Sequence, residues 1–308
     1  MAAGPVVDQL AQEYAGQPVV FIEYDIDNAP GSRIGRWWNA FGGSSATLPL
    51  VMVDSGNQIS NGPVNYYSVY KAMVDTALAR PAKAEIQAHW WRTGNKIGFY
   101  VQVKNLSSVT LSNWTNSASV HAIVYEDAQV GVTDRFGRAA VEADIINLAP
   151  NATATYTLET NELSDVNWDK LHFIVLVDYI PPGSVGAFDL LQAAVALPIA
   201  SPFTALPGSL TFMVDPTDES IPPATVNFQG PSFVNWTATP GTAWLTITPA
   251  SGSITAQPSI SVIKNNLSPG WQQGNITFTT SDGLFTDQIS INTYFGPLQR
   301  SYLPMVGR

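Results

Sequence analysis

The side chain that thiol chemistry requires is missing. The chain contains no cysteine, which excludes disulfides, thiolate metal sites and cysteine nucleophiles together. His89, His121 and His172 all fall within period-two strand patterns. None has a second histidine two or four residues away or a carboxylate pair at ligand spacing, so they read as core or sheet-surface histidines. Asp25, Asp27 and Asn28 resemble the start of a calcium loop but lack its glycine and distal glutamate, and read as a strand-end turn. No Ser/His/Asp set, phosphate loop or spaced carboxylate pair emerges on a defined scaffold. The expectation is a chain that is not an enzyme as written and that carries no metal or other cofactor.

Composition narrows the class. Charged residues make up 12% of the 308 residues, against about 25% in ordinary globular chains. Hydrophobic residues account for 45%, with Gly 23 and Pro 22. Surfaces poor in charge and rich in Ser, Thr, Asn and Gln are typical of secreted all-β proteins. A net charge of −10 and a pI near 4.6 oppose nucleic acids and anionic membrane surfaces. No apolar run reaches the roughly 18 residues of a membrane helix; Phe173-Ile-Val-Leu-Val177 is cut by Asp178. Met1-Ala-Ala-Gly-Pro5 has neither the basic region nor the apolar stretch of a signal peptide. The length predicts more than one domain.

The first stretch, residues 1–82, mixes helix and strand. Pro5 suits a first helical turn, Val6, Val7, Leu10, Ala11 and Tyr14 recur at helical steps, and Gly16 stops them. Pro18 to Asp25 predicts a buried strand, Arg33 to Phe41 a short helix with Trp37 and Trp38, and Leu48 to Asp54 a second buried strand turned by Ser55-Gly56. Asn57–Asn61 predicts an edge strand, and Val64, Tyr67, Tyr70, Met73, Val74 and Ala77 line a closing helix. This order resembles the later part of a thioredoxin fold. Leu48-Pro49 matches that family's cis-proline step, which makes Pro49 the structural cis-proline candidate, and Val53-Asp54-Ser55-Gly56 matches its hairpin. The resemblance places a Cys-x-x-Cys turn before the first helix, and the chain starts at Met1 where that motif would just have ended. The expectation is therefore a truncated domain lacking its first two strands and both cysteines, with Val7, Leu10, Phe21 and Val51 unusually exposed. The competing reading is a degenerate, redox-dead scaffold.

From residue 83 to 200 the period changes to two. Ala84–Trp91, Lys96–Lys104, Ala118–Tyr125, Ala152–Leu158, Leu171–Val177 and Leu190–Val195 predict strands separated by loops rich in Asn, Asp, Pro and Gly. Their spacing suits an immunoglobulin-like sandwich. Thioredoxin-like domains followed by such a sandwich occur in a family of bacterial outer-membrane and secreted proteins, which this domain order resembles.

Pro198 to Pro207 reads as a linker, and residues 204–297 as a second sandwich. Its strands are expected at Ser209–Val214, Ala224–Phe228, Val234–Ala238, Trp244–Pro249, Ile260–Ile263, Gly274–Thr280 and Gln288–Asn292. The Trp-Leu-x-Ile-x-Pro-x-Ser-Gly hairpin from Trp244, the turn from Asn266 to Gly270 and the Gly-x-Ile-x-Phe strand from Gly274 resemble a BACON-type domain of bacterial surface proteins. That resemblance implies a spacer or a carbohydrate-binding module, in which Trp236, Trp244 and Trp271 would supply stacking faces and their Asn, Gln and Thr neighbours would meet sugar hydroxyls. The plainer role of these tryptophans is to fill the core. If they bind glycans, at least two should show a ring face on one side of the sandwich. Asn-x-Ser/Thr triplets at Asn105, Asn113, Asn151, Asn235, Asn266 and Asn275 follow from the composition. Residues 298–308 form a tail whose Tyr302-Leu303-Pro304 is similar to short tails closing secreted bacterial proteins.

The fold class expected is thus α+β multidomain, a partial thioredoxin-like α/β domain followed by two antiparallel β-sandwiches. The function expected is that of a non-catalytic exported protein, extracellular, cell-surface or periplasmic, with glycans or other envelope proteins as partners. The alternative is the remainder of a secreted thiol-disulfide oxidoreductase whose Cys-x-x-Cys lies upstream of Met1.

Overall fold

Alternating apolar and polar residues give most of the chain its strands, and two short helices cover the exception at the N-terminus. The structure, a computed structural model, describes residues 3–24, 36, 47–129, 134–184 and 187–298. The expected helix at 33–41, apart from Arg36, the turn at Asp25–Asn28 and the tail beyond 298 lie outside the described residues. The chain divides into two compact units, Met1–Pro198 and Ile199–Arg308. The architecture is α+β, with several mostly antiparallel sheets and few helices.

The first unit opens with helix α1 (Gly4–Glu13), which has proline in its first turn. A two-stranded hairpin follows, β1 (Leu50–Val53) and β2 (Gln58–Asn61), and then helix α2 (Tyr66–Leu78). Val6, Leu10, Tyr14, Tyr70, Met73 and Val74 form the small core between these elements. Leu10 is fully buried, whereas Val7, Phe21 and Val51 are only partly covered by that core. The Leu48–Pro49 bond is cis, as are Leu206–Pro207 and Thr248–Pro249.

The strand expected at Pro18–Asp25 is corrected. Its described residues make no ladder with β1. A single parallel bridge joins Glu23 to Phe136 instead. The Glu23 amide donates to Arg135 O at 3.1 Å, and the Gly137 amide donates to Glu23 O at 3.0 Å. The Glu23 backbone is therefore bonded to residues 135–137 at the edge of the following sandwich.

That sandwich has two four-stranded sheets. β3 (Ala84–Thr93), β4 (Lys96–Asn105), β7 (Thr153–Glu159) and β10 (Leu197–Pro198) lie in the order β10-β3-β4-β7. β5 (Ser119–Glu126), β6 (Phe136–Asp144), β8 (Leu171–Tyr179) and β9 (Asp189–Val195) lie in the order β6-β5-β8-β9. Ile97, Phe99, Val101 and Val103 of the first sheet meet Val120, Ala122, Val124, Val175 and Val177 of the second in one core. Trp90 stacks on Phe173 with ring centroids 4.0 Å apart. β6 had no counterpart among the expected strands.

The second unit has a five-stranded sheet. Its members are β12 (Ser209–Val214), β15 (Asn235–Pro240), β17 (Ser251–Ser253), β19 (Gly270–Thr280) and β20 (Thr286–Phe295), in the order β12-β20-β19-β15-β17. β13 (Ala224–Thr225), β16 (Leu245–Thr248) and β18 (Ser259–Val262) form a three-stranded sheet. The expected strand Ala224–Phe228 splits, because β14 (Asn227–Gln229) leaves to pair with β11 (Thr204–Leu206) inside the predicted linker. Phe228 lies among Phe203, Trp236 and Phe278, with centroid separations of 4.7–5.6 Å.

Candidate functional site

In the second unit, odd-numbered positions of β19 face away from the core while Ile276 and Phe278 face into it. Trp271 is on the outward side and is 63% exposed. Cross-strand register places it opposite Tyr294, which in turn lies opposite Met213. The Trp271 and Tyr294 rings are 5.4 Å apart and tilted at 57°. The rows beside them read Thr211–Asn292–Gln273 and Ser209–Ser290–Asn275, and further along come Gln288–Thr277–Thr239 and Thr286–Thr279–Thr237. None of these side chains carries a charge. With same-face residues roughly 7 Å apart along a strand and strands about 4.8 Å apart, the result is an open field of hydroxyl and amide groups with an aromatic pair at one end.

Trp236 and Trp244 are not part of it. Trp236 is fully buried, donates its indole N–H to Ser253 O at 2.8 Å and packs on Phe228 and Phe278. Trp244 is buried against Gly274. The expectation of a shared tryptophan face is corrected: core packing takes two of the three rings, and Trp271 alone presents itself to solvent.

The first unit holds the groups that could do acid–base chemistry, and nothing in their spacing along the chain shows that they meet. On the outer face of β6-β5-β8-β9, His121 Nε2 lies 3.3 Å from Asp178 Oδ1 and Nδ1 lies 3.6 Å from Glu142 Oε2. The Arg36 guanidinium pairs with Asp178, donates to Ser117 O at 3.2 Å and lies over the Phe188 ring at 3.9 Å. The His121 and Asp178 side chains are each 1% exposed. On the same face Ile123, Ile174 and Leu176 form a buried apolar cluster against which Ile22, Tyr125 and Leu190 pack. Both ring nitrogens of this imidazole are buried.

Two further ionic groups tie the same N-terminal elements to the sandwich. Arg80, just past α2, bridges Asp54 at 2.7 Å and Asp189, and Lys83 reaches Asp189 at 2.9 Å. Arg135 pairs with Asp8 of α1 at 2.5 Å and stands 3.6 Å from Glu23. Burial pushes the Asp54 carboxyl above its ordinary range despite Arg80. Burial likewise raises Glu23 against the opposing pull of the Asp134 amide and Arg135.

Among the described residues no group of three or more His, Asp or Glu is arranged to hold a metal ion, and no helix is long and apolar enough to cross a membrane. His89 sits on β3 with its pKa lowered by burial, and His172 pairs with Asp127 at 2.8 Å on the surface.

No family model and no curated protein matches the chain. Among solved structures, a domain of the outer membrane lipoprotein Omp28 from Porphyromonas gingivalis is similar at 22% identity and a TM-score of 0.26, over 40% of this chain and 93% of that one. Escherichia coli alpha-2-macroglobulin is similar at 11% identity and a TM-score of 0.23, over 70% of this chain and 22% of its own. A GH3 beta-glucosidase from Bifidobacterium adolescentis follows at 17% identity and a TM-score of 0.22, over 37% and 17%. At these scores none of the three fixes the architecture of this chain.

Proposed function

We propose that the chain is a non-catalytic, exported envelope or extracellular protein made of binding and spacer modules. In this reading residues 1–82 are thioredoxin-like, 83–200 form an immunoglobulin-like sandwich and 204–297 form a BACON-type sandwich. The observation that supports it best is where the reactive groups are. Asp178, Asp54 and Asp189 are paired with arginines that reach from one segment to the next, the His121 imidazole is buried beside Asp178, and no thiol exists to attack a disulfide. The test is insulin reduction and disulfide isomerisation with the full chain. No turnover above background is expected, and measurable thiol exchange would overturn the reading. The alternative, an oxidoreductase remainder, calls for a Trp-Cys-x-x-Cys segment encoded in frame upstream of Met1.

A second reading concerns the partner: the two-tryptophan face expected of a glycan module is absent, and the reading rests instead on Trp271 with Tyr294 beside it. An exposed indole beside Tyr294, continued by uncharged Asn, Gln, Ser and Thr rows, suits a neutral polysaccharide. Its sugar faces stack on rings and its hydroxyls exchange hydrogen bonds with amides. Co-sedimentation with insoluble neutral polysaccharides tests it. Binding should disappear in Trp271→Ala and persist in a Trp114→Ala control. Equal binding by the wild type and Trp271→Ala removes this face from consideration.

A further inference from the structure

At one end of the first unit's sandwich, where β4 and β6 finish and β5 and β7 begin, the loops 106–118 and 145–152 are knitted together. Leu111 and Leu148 exchange backbone bonds at 3.0 and 2.9 Å, and the Asn113 amide donates to Ile145 O at 2.7 Å. The Asn105 side chain donates to Val109 O at 2.8 Å and Leu148 O at 2.9 Å, while its carbonyl accepts from the Ser107 amide at 2.9 Å. The Asn116 carboxamide accepts from the Ser112 amide and donates to Thr110 O, each at 2.9 Å. These bonds hold Asn105, Ser112 and Asn116 within the loops, while Ser108, Thr110, Thr115, Asn147 and Asn151 stay at the surface. Three large apolar side chains are left outside: Trp114 is 84% exposed, Ile146 64% and Leu106 45%. Neither loop contains a charged residue.

We propose that this tip is a contact site for a lipid surface, inserting Trp114, Ile146 and Leu106 among neutral headgroups. Three features carry the assignment. The backbone bonds between Leu111 and Leu148 and from Asn113 to Ile145 hold the tip in shape, and each group bonded in this way enters a low-dielectric layer at less cost than one that depends on water. An indole with two aliphatic neighbours and no charge matches the composition of the membrane–water boundary. A stable protein partner needs about 800 Å² from each side. One indole at about 150–250 Å² and two partly exposed aliphatic chains fall well short of that, whereas a bilayer accepts each side chain separately. With a net charge of −10 the chain is repelled by anionic lipid, so the target surface is zwitterionic.

Flotation of the full chain with phosphatidylcholine vesicles tests the site. The wild type should float with the vesicles and keep doing so in high salt. Trp114→Ala and Ile146→Asp should each cut partitioning by about tenfold or more, because each removes apolar surface that would be buried in the boundary layer. Trp271→Ala, which removes an exposed indole elsewhere, should change nothing. Far-UV circular dichroism melts identify any variant that fails to fold, and Leu106→Ser then takes its place. The proposal is overturned by a wild type that stays in the soluble fraction at millimolar lipid. It is equally overturned if all variants partition alike, or if Trp114→Ala abolishes self-association of a chain that ignores vesicles.

Discussion

At Gly274 an added Cβ would stand 2.9 Å from the Trp244 ring, and at Gly98 it would stand 2.3 Å from the ring of Trp91, its cross-strand partner. Both glycines are seats for indoles. Gly274→Ala should therefore destabilise the second unit by about 1–3 kcal/mol through overpacking, read as a lower midpoint in urea unfolding. Trp236→Ala should remove about 3–5 kcal/mol from the same unit, while Trp271→Ala should stay within about 0.5 kcal/mol of the wild type. A Trp271 variant as damaging as the Trp236 one would mean that the outer face is covered after all. The difference between these tryptophans was partly legible. In β19 the core residues Ile276 and Phe278 hold even positions, and parity alone assigns Trp271 to the opposite face. The sequence pattern hides it because Gly274 reads as the start of the strand, four residues after its start at Gly270.

The N-terminal elements stay on the sandwich through Arg80 and Arg135, each near two carboxylates, and through Arg36 on Asp178, and this arrangement was not legible at all. Asp178 and His121 meet through the pairing of β5 with β8, and Arg36 and Arg80 come from segments far away in sequence. Local periodicity carries no information about such register. β6 was missed for a different reason: Ala139, Ala140 and Ala143 with Arg138 and Glu142 are poor strand formers, held in place by β5 alongside. Arg80→Met should cost about 1–3 kcal/mol, since Asp54 and Asp189 would lose a buried partner. Limited proteolysis near residues 79–83 should accelerate in parallel, and an unchanged cleavage rate would mean that Lys83 alone suffices. Protonation adds a second test. Glu23 has an ordinary value of 4.5 and Asp54 one of 3.8, and both are raised in the folded protein. The folded state therefore holds these protons more tightly than the unfolded chain does. Their contribution to stability is full below the ordinary values and declines as pH rises through the folded ones. Glu23→Gln should flatten this part of the stability profile above about pH 4.5, measured as the melting midpoint of the first unit against pH. A profile as steep as the wild type's would assign the dependence to Asp54.

At the scale of the whole molecule, the two compact units predict two unfolding events. The instructive cut lies inside the first unit. The sequence pattern changes from helical to alternating near residue 83, which suggests a boundary there. Yet the outer face of β6-β5-β8-β9 is not built for water. Ile123, Ile174 and Leu176 are buried on it, and His121 and Asp178 lie beneath Arg36. Removing residues 1–82 would uncover those aliphatic chains and strip Asp178 of its guanidinium partner. It would also open the β6 edge that Glu23 now occupies, a free edge of the kind that pairs with other chains. A fragment of residues 83–198 should therefore fold less stably than the intact first unit, by several times the roughly 1–3 kcal/mol of a single orphaned polar group, and should self-associate as concentration rises. Light scattering and denaturant unfolding of 1–198 and 83–198 side by side decide the matter. Equal midpoints and a monodisperse 83–198 fragment would show that the sandwich is a self-sufficient module and that the ionic contacts merely decorate its surface. A fragment that aggregates, and recovers when Ile123, Ile174 and Leu176 are replaced by threonine, would show that the N-terminal elements serve as the covering layer of this sheet.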